Sequence, residues 1–191
     1  MRKIVLNEVL IPALRRLYAI DHDNIVFGVS ERNICARLAF HMECIMREYD
    51  IIHKDKVFHN YHADVEYNRM GYGDIKYFMT HRHTLQYMVS DLLIQRRASG
   101  RNLLAVEMKR KGNHKNVGND KNRLKSLVSP SNPYRDDRCV RDTVLGAFIV
   151  YSRDGVCMEL YENVGGYGEN TEMLQFVYCE RECSLELVAD Q

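Results

Sequence analysis

No apolar run in this chain approaches about 18 residues, so no segment reads as a membrane-spanning helix. The opening residues, Met1-Arg2-Lys3-Ile4-Val5-Leu6-Asn7-Glu8, lack the long apolar stretch of a secretion signal. No heptad, collagen-like or 20–50-residue repeat is present, which excludes solenoids, propellers and coiled coils. The charge balance is also missing a bias: the net charge is +1. Cysteines are present, at 35, 44, 139, 157, 179 and 183, but only Cys179 and Cys183 lie as a close pair outside the second helix. No second such pair completes a zinc knuckle. The six read as reduced thiols of a cytoplasmic protein.

What remains is a globular composition, 46% apolar and 28% charged over 191 residues, enough for one domain with a substantial core. The near-neutral total hides an uneven distribution. From Lys109 to Lys125 seven Lys or Arg face a single acid, Asp120, while from Gly165 to Gln191 six acids face one Arg. A local basic segment of this kind suits phosphate contacts.

Residues 88–112 form the most informative stretch. Two apolar runs, Leu92–Ile94 and Leu103–Val106, have strand character and flank a polar turn, Arg96–Asn102, so a hairpin is predicted. Side chains two apart share a face of a strand. Leu103, Ala105, Glu107 and Lys109 therefore point one way, and Asp91 sits on the neighbouring strand. Two carboxylates and an amine converge. Carboxylates about 4 Å apart repel by roughly 4 kcal/mol at an effective dielectric near 20. One of them takes a proton, or a cation sits between them. Oxygen ligands with room for water suit Mg²⁺ or Mn²⁺.

Asp91, fifteen intervening residues and then Glu107-Met108-Lys109 on the next strand resembles the PD-(D/E)XK nuclease superfamily, the restriction-endonuclease-like fold. Ser90 stands where the family's proline would be. The resemblance spans roughly residues 29–162. It implies an α/β fold with an αβββαβ core, a central mixed sheet flanked by helices. It further implies that Asp91 and Glu107 hold a metal with the backbone carbonyl of Met108, and that Lys109 positions the attacking water. Many members place a glutamate on the first core helix beside the site, which points to Glu31. A helix following the Glu-x-Lys strand often brings basic residues to phosphate, which selects Lys121 and Arg123.

Around the hairpin the chain divides into a helical extension (1–28), the nuclease-like core (29–162) and an acidic C-terminal tail or edge strands (163–191). Leu6, Leu10, Leu14 and Leu17 keep helical spacing across Pro12. Ser30 caps the next helix, whose inward stripe is Ile34, Leu38, Met42 and Ile45. Glu31, three before Ile34, lies on that stripe or simply complements the helix dipole. Arg37 and His41 flank the stripe as exposed residues. Residues 61–69 alternate as a first strand, and 70–87, with Tyr72, Tyr77, Phe78, His81 and His83, form an insertion. A second basic helix, 120–128, is capped by Asn119, with Lys121 and Lys125 outward. Residues 143–151 form a strand buried on both faces, Asp154-Gly155 turns, and 156–161 return.

The expected activity is a metal-dependent nuclease hydrolysing phosphodiester bonds, DNA first, with Mg²⁺ or Mn²⁺ as cofactor. The site is Asp91, Glu107, Lys109 and Glu31, with Met108 among the metal ligands. Arg110, Lys111, Lys115, Lys121, Arg123 and Lys125 would hold the backbone, giving affinity without sequence preference. A homodimer is expected if both strands are cut. Two other readings stand: an inactive nucleic-acid-binding or regulatory protein of the same fold, and three ordinary charges on the wet face of a sheet.

Overall fold

A computed structural model describes residues 1–66, 69–70, 74–75, 77–79, 85–87, 89–97, 101–129 and 143–188. The first helix, α1, runs in three sections, Arg2–Ile4, a π-helical Val5–Leu10, and Ile11–Val26. Pro12 lacks an N–H and its ring crowds the carbonyl four residues back. The wider turn just before it, closed by Ile11 N–H on the Leu6 carbonyl, absorbs both problems without ending the helix. Val5, Leu6, Val9, Leu10, Ala13, Leu14 and Leu17 are all buried in the principal core, so this helix is a core element.

α2 (Glu31–Ile52) starts where predicted, with the Ser30 hydroxyl accepting from Asn33 N–H at 3.3 Å. Ile34, Leu38, Met42 and Ile45 are its buried stripe. Two of its residues correct the sequence reading. His41 is buried, with Nε2 2.7 Å from Asp21 Oδ2, and Arg37 donates to Asp21 Oδ1 at 2.8 Å. Burial opposes ionisation of Asp21, but the bonds from His41 and Arg37 outweigh it and hold the carboxyl below its ordinary range. Asp21 sits where α1 departs from helical dihedrals, so this polar knot ties the irregular turn to α2.

The strands form one seven-stranded mixed sheet, in chain order across it. They are β1 (His62–Val65), β2 (Leu92–Arg96), β3 (Arg101–Arg110), β4 (Leu145–Ser152), β5 (Gly155–Val164), β6 (Tyr167–Cys179) and β7 (Ser184–Leu187). Only β3 and β4 pair in parallel, from Leu104↔Leu145 to Arg110↔Tyr151. A parallel pair needs a crossover, and α3 (Val117–Val128) supplies it. From α2 onward the principal order is helix, three strands, helix, strand, with two short ladders between β1 and β2: Arg69–Met70 with Asp74–Ile75, and Tyr77–Met79 with Leu85–Tyr87. Tyr77 and Tyr87 stack at 5.2 Å. Tyr72, His81, His83 and the 130–141 loop lie outside the described residues.

The sheet separates two apolar layers. α1 and α2 cover one face, where Leu92, Ile94, Leu104, Val106 and Met108 point. α3 covers part of the other, packing Leu124, Leu127 and Val128 on Leu93, Ala105, Phe148 and Tyr161. Leu103 departs from the alternation expected of it and joins the α1–α2 layer. The cause is a register shift: Ile94 pairs with Leu104 but Gln95 with Asn102, so Leu103 is an extra residue, a β-bulge. The parity of Ala105, Glu107 and Lys109 is set beyond it.

α3 begins earlier than predicted. Asn116, in the left-handed region at φ 62°, precedes its first turn, and Asn119 lies inside the helix. β6 also extends further than the apolar pattern suggested: Tyr167–Thr171 is strand although mostly polar, because it pairs with β5 and faces solvent. The 153–154 turn ends on Gly155 at φ 147°, where a Cβ would stand 2.1 Å from the Phe176 carbonyl oxygen. Residues 163–187 thus close the sheet with β6 and the edge strand β7.

Candidate functional site

β2 begins at Leu92, directly after Asp91. The last pair is Leu92↔Val106, so β3 runs on past its neighbour from Glu107. Asp91 takes over there: its Oδ2 accepts from the Met108 N–H at 2.7 Å, extending the ladder by a side chain. In a strand the N–H and C=O of one residue point to the same edge. The Met108 carbonyl therefore leaves β3 on the Asp91 side as well. Asp91, Leu93, Ala105, Glu107 and Lys109 share the α3 face of the sheet.

Glu107 is fully buried at the top of the small apolar layer. Its Oε1 accepts from Arg123 Nη1 at 2.6 Å. Its Oε2, also buried, has no hydrogen-bond partner among the described residues. Burial pushes the Glu107 carboxyl up to about 8; the Arg123 charge opposes this and the Asp91 charge adds to it. Asp91 is raised too, chiefly by burial, against the Met108 N–H bond and the Lys109 charge. Lys109 Nζ lies 3.1 Å from Asp120 Oδ2. Burial works against its ammonium, but the bond and charge of Asp120 prevail and its pKa is raised. Protonated Lys109 therefore shares a sheet face with two carboxyls that resist ionisation.

The orphaned Glu107 Oε2 decides whether a cation suits these residues. A buried carboxylate oxygen with no donor costs free energy unless a proton or a positive charge reaches it. Asp91, Glu107 and the Met108 carbonyl form an all-oxygen set, which matches Mg²⁺ or Mn²⁺ and not zinc. The residues present fit such an ion. Among the described residues, three side-chain ligand atoms meet within 4.8 Å only at Cys179, Glu182 and Glu186, in the partly exposed β6–β7 turn. Glu31 thus makes no tight trio with Asp91 and Glu107.

Glu31 does turn towards the sheet, as the stripe argument requires. Its Oε1, however, accepts from Arg110 N–H at 2.9 Å and from Asn113 Nδ2 at 2.7 Å. It binds the end of β3 from the α2 side. Cys35 lies on that side too, with its thiol against Met108 Sδ at 3.5 Å and pushed up first by burial and then by the Asp91, Glu107 and Glu31 charges.

The basic candidates divide. Lys111, Lys115 and Lys125 are exposed. Arg110 is committed to the fold: its Nη2 donates to the Ile25 carbonyl at 2.7 Å, packed against Gly28, whose φ of 77° and lack of Cβ make room for the guanidinium. Lys121 pairs with Glu159 at 2.6 Å and lies over the Phe148 ring. Arg123 turns inward to Glu107. Glu66, at the end of β1, pairs with Arg32 in solvent.

Sequence reasoning passed over Asp120, which had been counted only as a lone acid in a basic segment. It is buried, facing Lys109 and Arg123. The signal was available: Asp120, Leu124 and Leu127 are spaced i, i+4, i+7, so the stripe that buries the leucines also buries the aspartate. Asp64, on β1, is a second buried acid that the alternation of residues 61–69 does not single out. It holds Gln95 Nε2 at 2.8 Å together with the Arg97 guanidinium.

No family model matches the chain, and no curated protein or solved structure matches it. No helix among the described residues is long and apolar enough to cross a membrane.

Proposed function

We propose that this chain is a metal-dependent phosphodiesterase of the PD-(D/E)XK type, hydrolysing nucleic acid and most readily DNA. The observation that carries the reading is the buried Glu107 Oε2, which has no hydrogen-bond partner among the described residues and lies on the same sheet face as Asp91 and Lys109. A plain core hairpin gains nothing from burying two carboxyls and an ammonium there.

Asp91, Glu107 and the Met108 carbonyl would hold Mg²⁺ or Mn²⁺, which when bound supplies Lewis-acid stabilisation of the charge developing on a phosphate. Asp91 would do two things with its two oxygens: Oδ2 fixes the edge of β3 through Met108 N–H, and Oδ1 would serve the ion. Lys109 donates to the attacking water and offsets negative charge on the phosphoryl oxygens. Its ammonium is fixed by Asp120, so it costs no reorientation when substrate arrives. Lys111, Lys115 and Lys125, all exposed, would hold the nucleic-acid backbone, with no base-reading group among them. Glu31 supports the site by fixing Arg110 N–H and Asn113. Cleavage of both strands of a duplex calls for two copies of a chain with one such site.

One observation favours the second reading, a binding or regulatory protein without turnover. Arg123 already supplies Glu107 with a positive partner. The test is incubation of the protein with supercoiled plasmid, linear duplex, single-stranded DNA and RNA in Mg²⁺ or Mn²⁺, beside the same mixtures in chelator. Metal-dependent cleavage of at least one form is the expected result. Binding to any of them without cleavage in either metal would establish the second reading instead.

A further inference from the structure

Asp120 is the one buried carboxylate of α3, and each of its oxygens faces a different cation. Oδ2 is 3.1 Å from Lys109 Nζ. Oδ1 is 3.4 Å from Arg123 Nη2. Arg123 then reaches Glu107 through Nη1 at 2.6 Å. Four side chains therefore form an unbroken chain, Glu107, Arg123, Asp120, Lys109, acids and bases in alternation, running from β3 to α3 and back to β3. An acid in the first turn of a helix complements the dipole from an exposed position. That role does not require burial, and Asp120 is only 4% exposed.

We propose that Asp120 is a positioning residue of the site, acting through Lys109 and Arg123. The inference rests on the phosphodiesterase reading for its catalytic consequence. Lys109 has a flexible four-carbon stem and would otherwise sample many directions. Held by Asp120, its ammonium stays on the α3 face beside Asp91 and Glu107. Arg123 is held by the same carboxylate, one helical turn along, and so keeps its second nitrogen on Glu107. Partners of this kind orient the groups that do chemistry without touching substrate, and their loss typically lowers activity 10–100-fold. α3 thereby serves as more than the crossover that makes β3 and β4 parallel.

The test compares wild type with Asp120→Asn, which keeps shape and size but not charge, and with Asp120→Glu. Two readouts are needed. The first requires no turnover: acetylation of individual lysines by a small amine-reactive reagent, followed by mass spectrometry of the full chain. The Lys109 side chain is 13% exposed. Its labelling is expected to rise several-fold in Asp120→Asn, with Lys111 and Lys115 unchanged as internal standards. The second is steady-state cleavage, where kcat is expected to fall 10–100-fold with KM for the nucleic acid within about threefold, and Asp120→Glu to recover part of the loss. Unchanged Lys109 labelling in Asp120→Asn overturns the proposal. So does a fall in kcat matched by an equal rise in KM, or by a lowered melting temperature that Asp120→Glu does not relieve. Absence of cleavage in wild type with Lys109 labelling still raised by Asp120→Asn removes the nuclease reading and keeps the assignment of Asp120 to Lys109.

Discussion

Asp91→Asn and Lys109→Ala are each expected to lower metal-dependent cleavage by about 10³-fold while leaving the fold intact. Asp91 has a structural task as well as a chemical one, and the choice of substitution separates them. Alanine would strand the Met108 N–H, at a cost of about 1–3 kcal/mol for an unpaired buried donor. Asparagine keeps an oxygen for that N–H and removes the charge a cation needs. A variant that melts like wild type and does not cleave isolates the second task. Lys109 pairs through its ammonium with Asp120, and alanine removes that pair. That leaves Asp120 with Arg123, which limits the damage to the buried network. Single-turnover rates on whichever nucleic acid wild type cuts measure both. Retention of more than a tenth of the rate by either variant would remove that residue from the chemistry.

The second large effect is on stability. In the folded chain the Glu107 carboxyl titrates at about 8, against an ordinary 4.5. Below about 4.5 both folded and unfolded chains carry the proton, and Glu107 contributes no pH slope. Between 4.5 and 8 the unfolded chain has released it and the folded chain still holds it. Folding is then opposed increasingly as pH rises, and the slope ends above 8. The side chain is 1% exposed, so solvent screens little of this. The accumulated loss is on the order of 5 kcal/mol. Glu107→Gln removes the titration and keeps an oxygen for Arg123. In chelator, denaturant unfolding should show the glutamine variant gaining steadily on wild type from pH 5 to 8. A stability difference that is flat across that range would contradict the buried, proton-holding state of Glu107.

The parts legible in the sequence were those governed by local rules. Ser30 and the stripe from Ile34 to Ile45 specify α2 through capping and a 3.6-residue period. The alternation from Ala105 to Lys109 specifies which way Glu107 and Lys109 point, and the α/β class follows from the order of elements. What was not legible required partners far along the chain. Leu103 looks like part of the same alternation, and only the pairing of Gln95 with Asn102 shows it to be a bulge. His41 looks like a helix-surface histidine until Asp21, twenty residues earlier, is packed against it. Tyr167–Thr171 has no apolar period because as an outer strand it needs none. Glu31 could be aimed at the sheet from its spacing, but not assigned to Arg110 N–H and Asn113, which are about eighty residues away. Asp120 is the instructive case. The helical period placed it inward, and the surrounding basic residues drew attention away from it.

In the proposed site Asp91 and Glu107 share one divalent cation. Calorimetric titration of Mn²⁺ into wild type, Asp91→Asn and Glu107→Gln tests it most directly. One ion per chain is expected for wild type and its loss in both variants, each of which removes one carboxylate from the same pair. Equal Mn²⁺ binding by all three proteins, or none by wild type at millimolar metal, would contradict it.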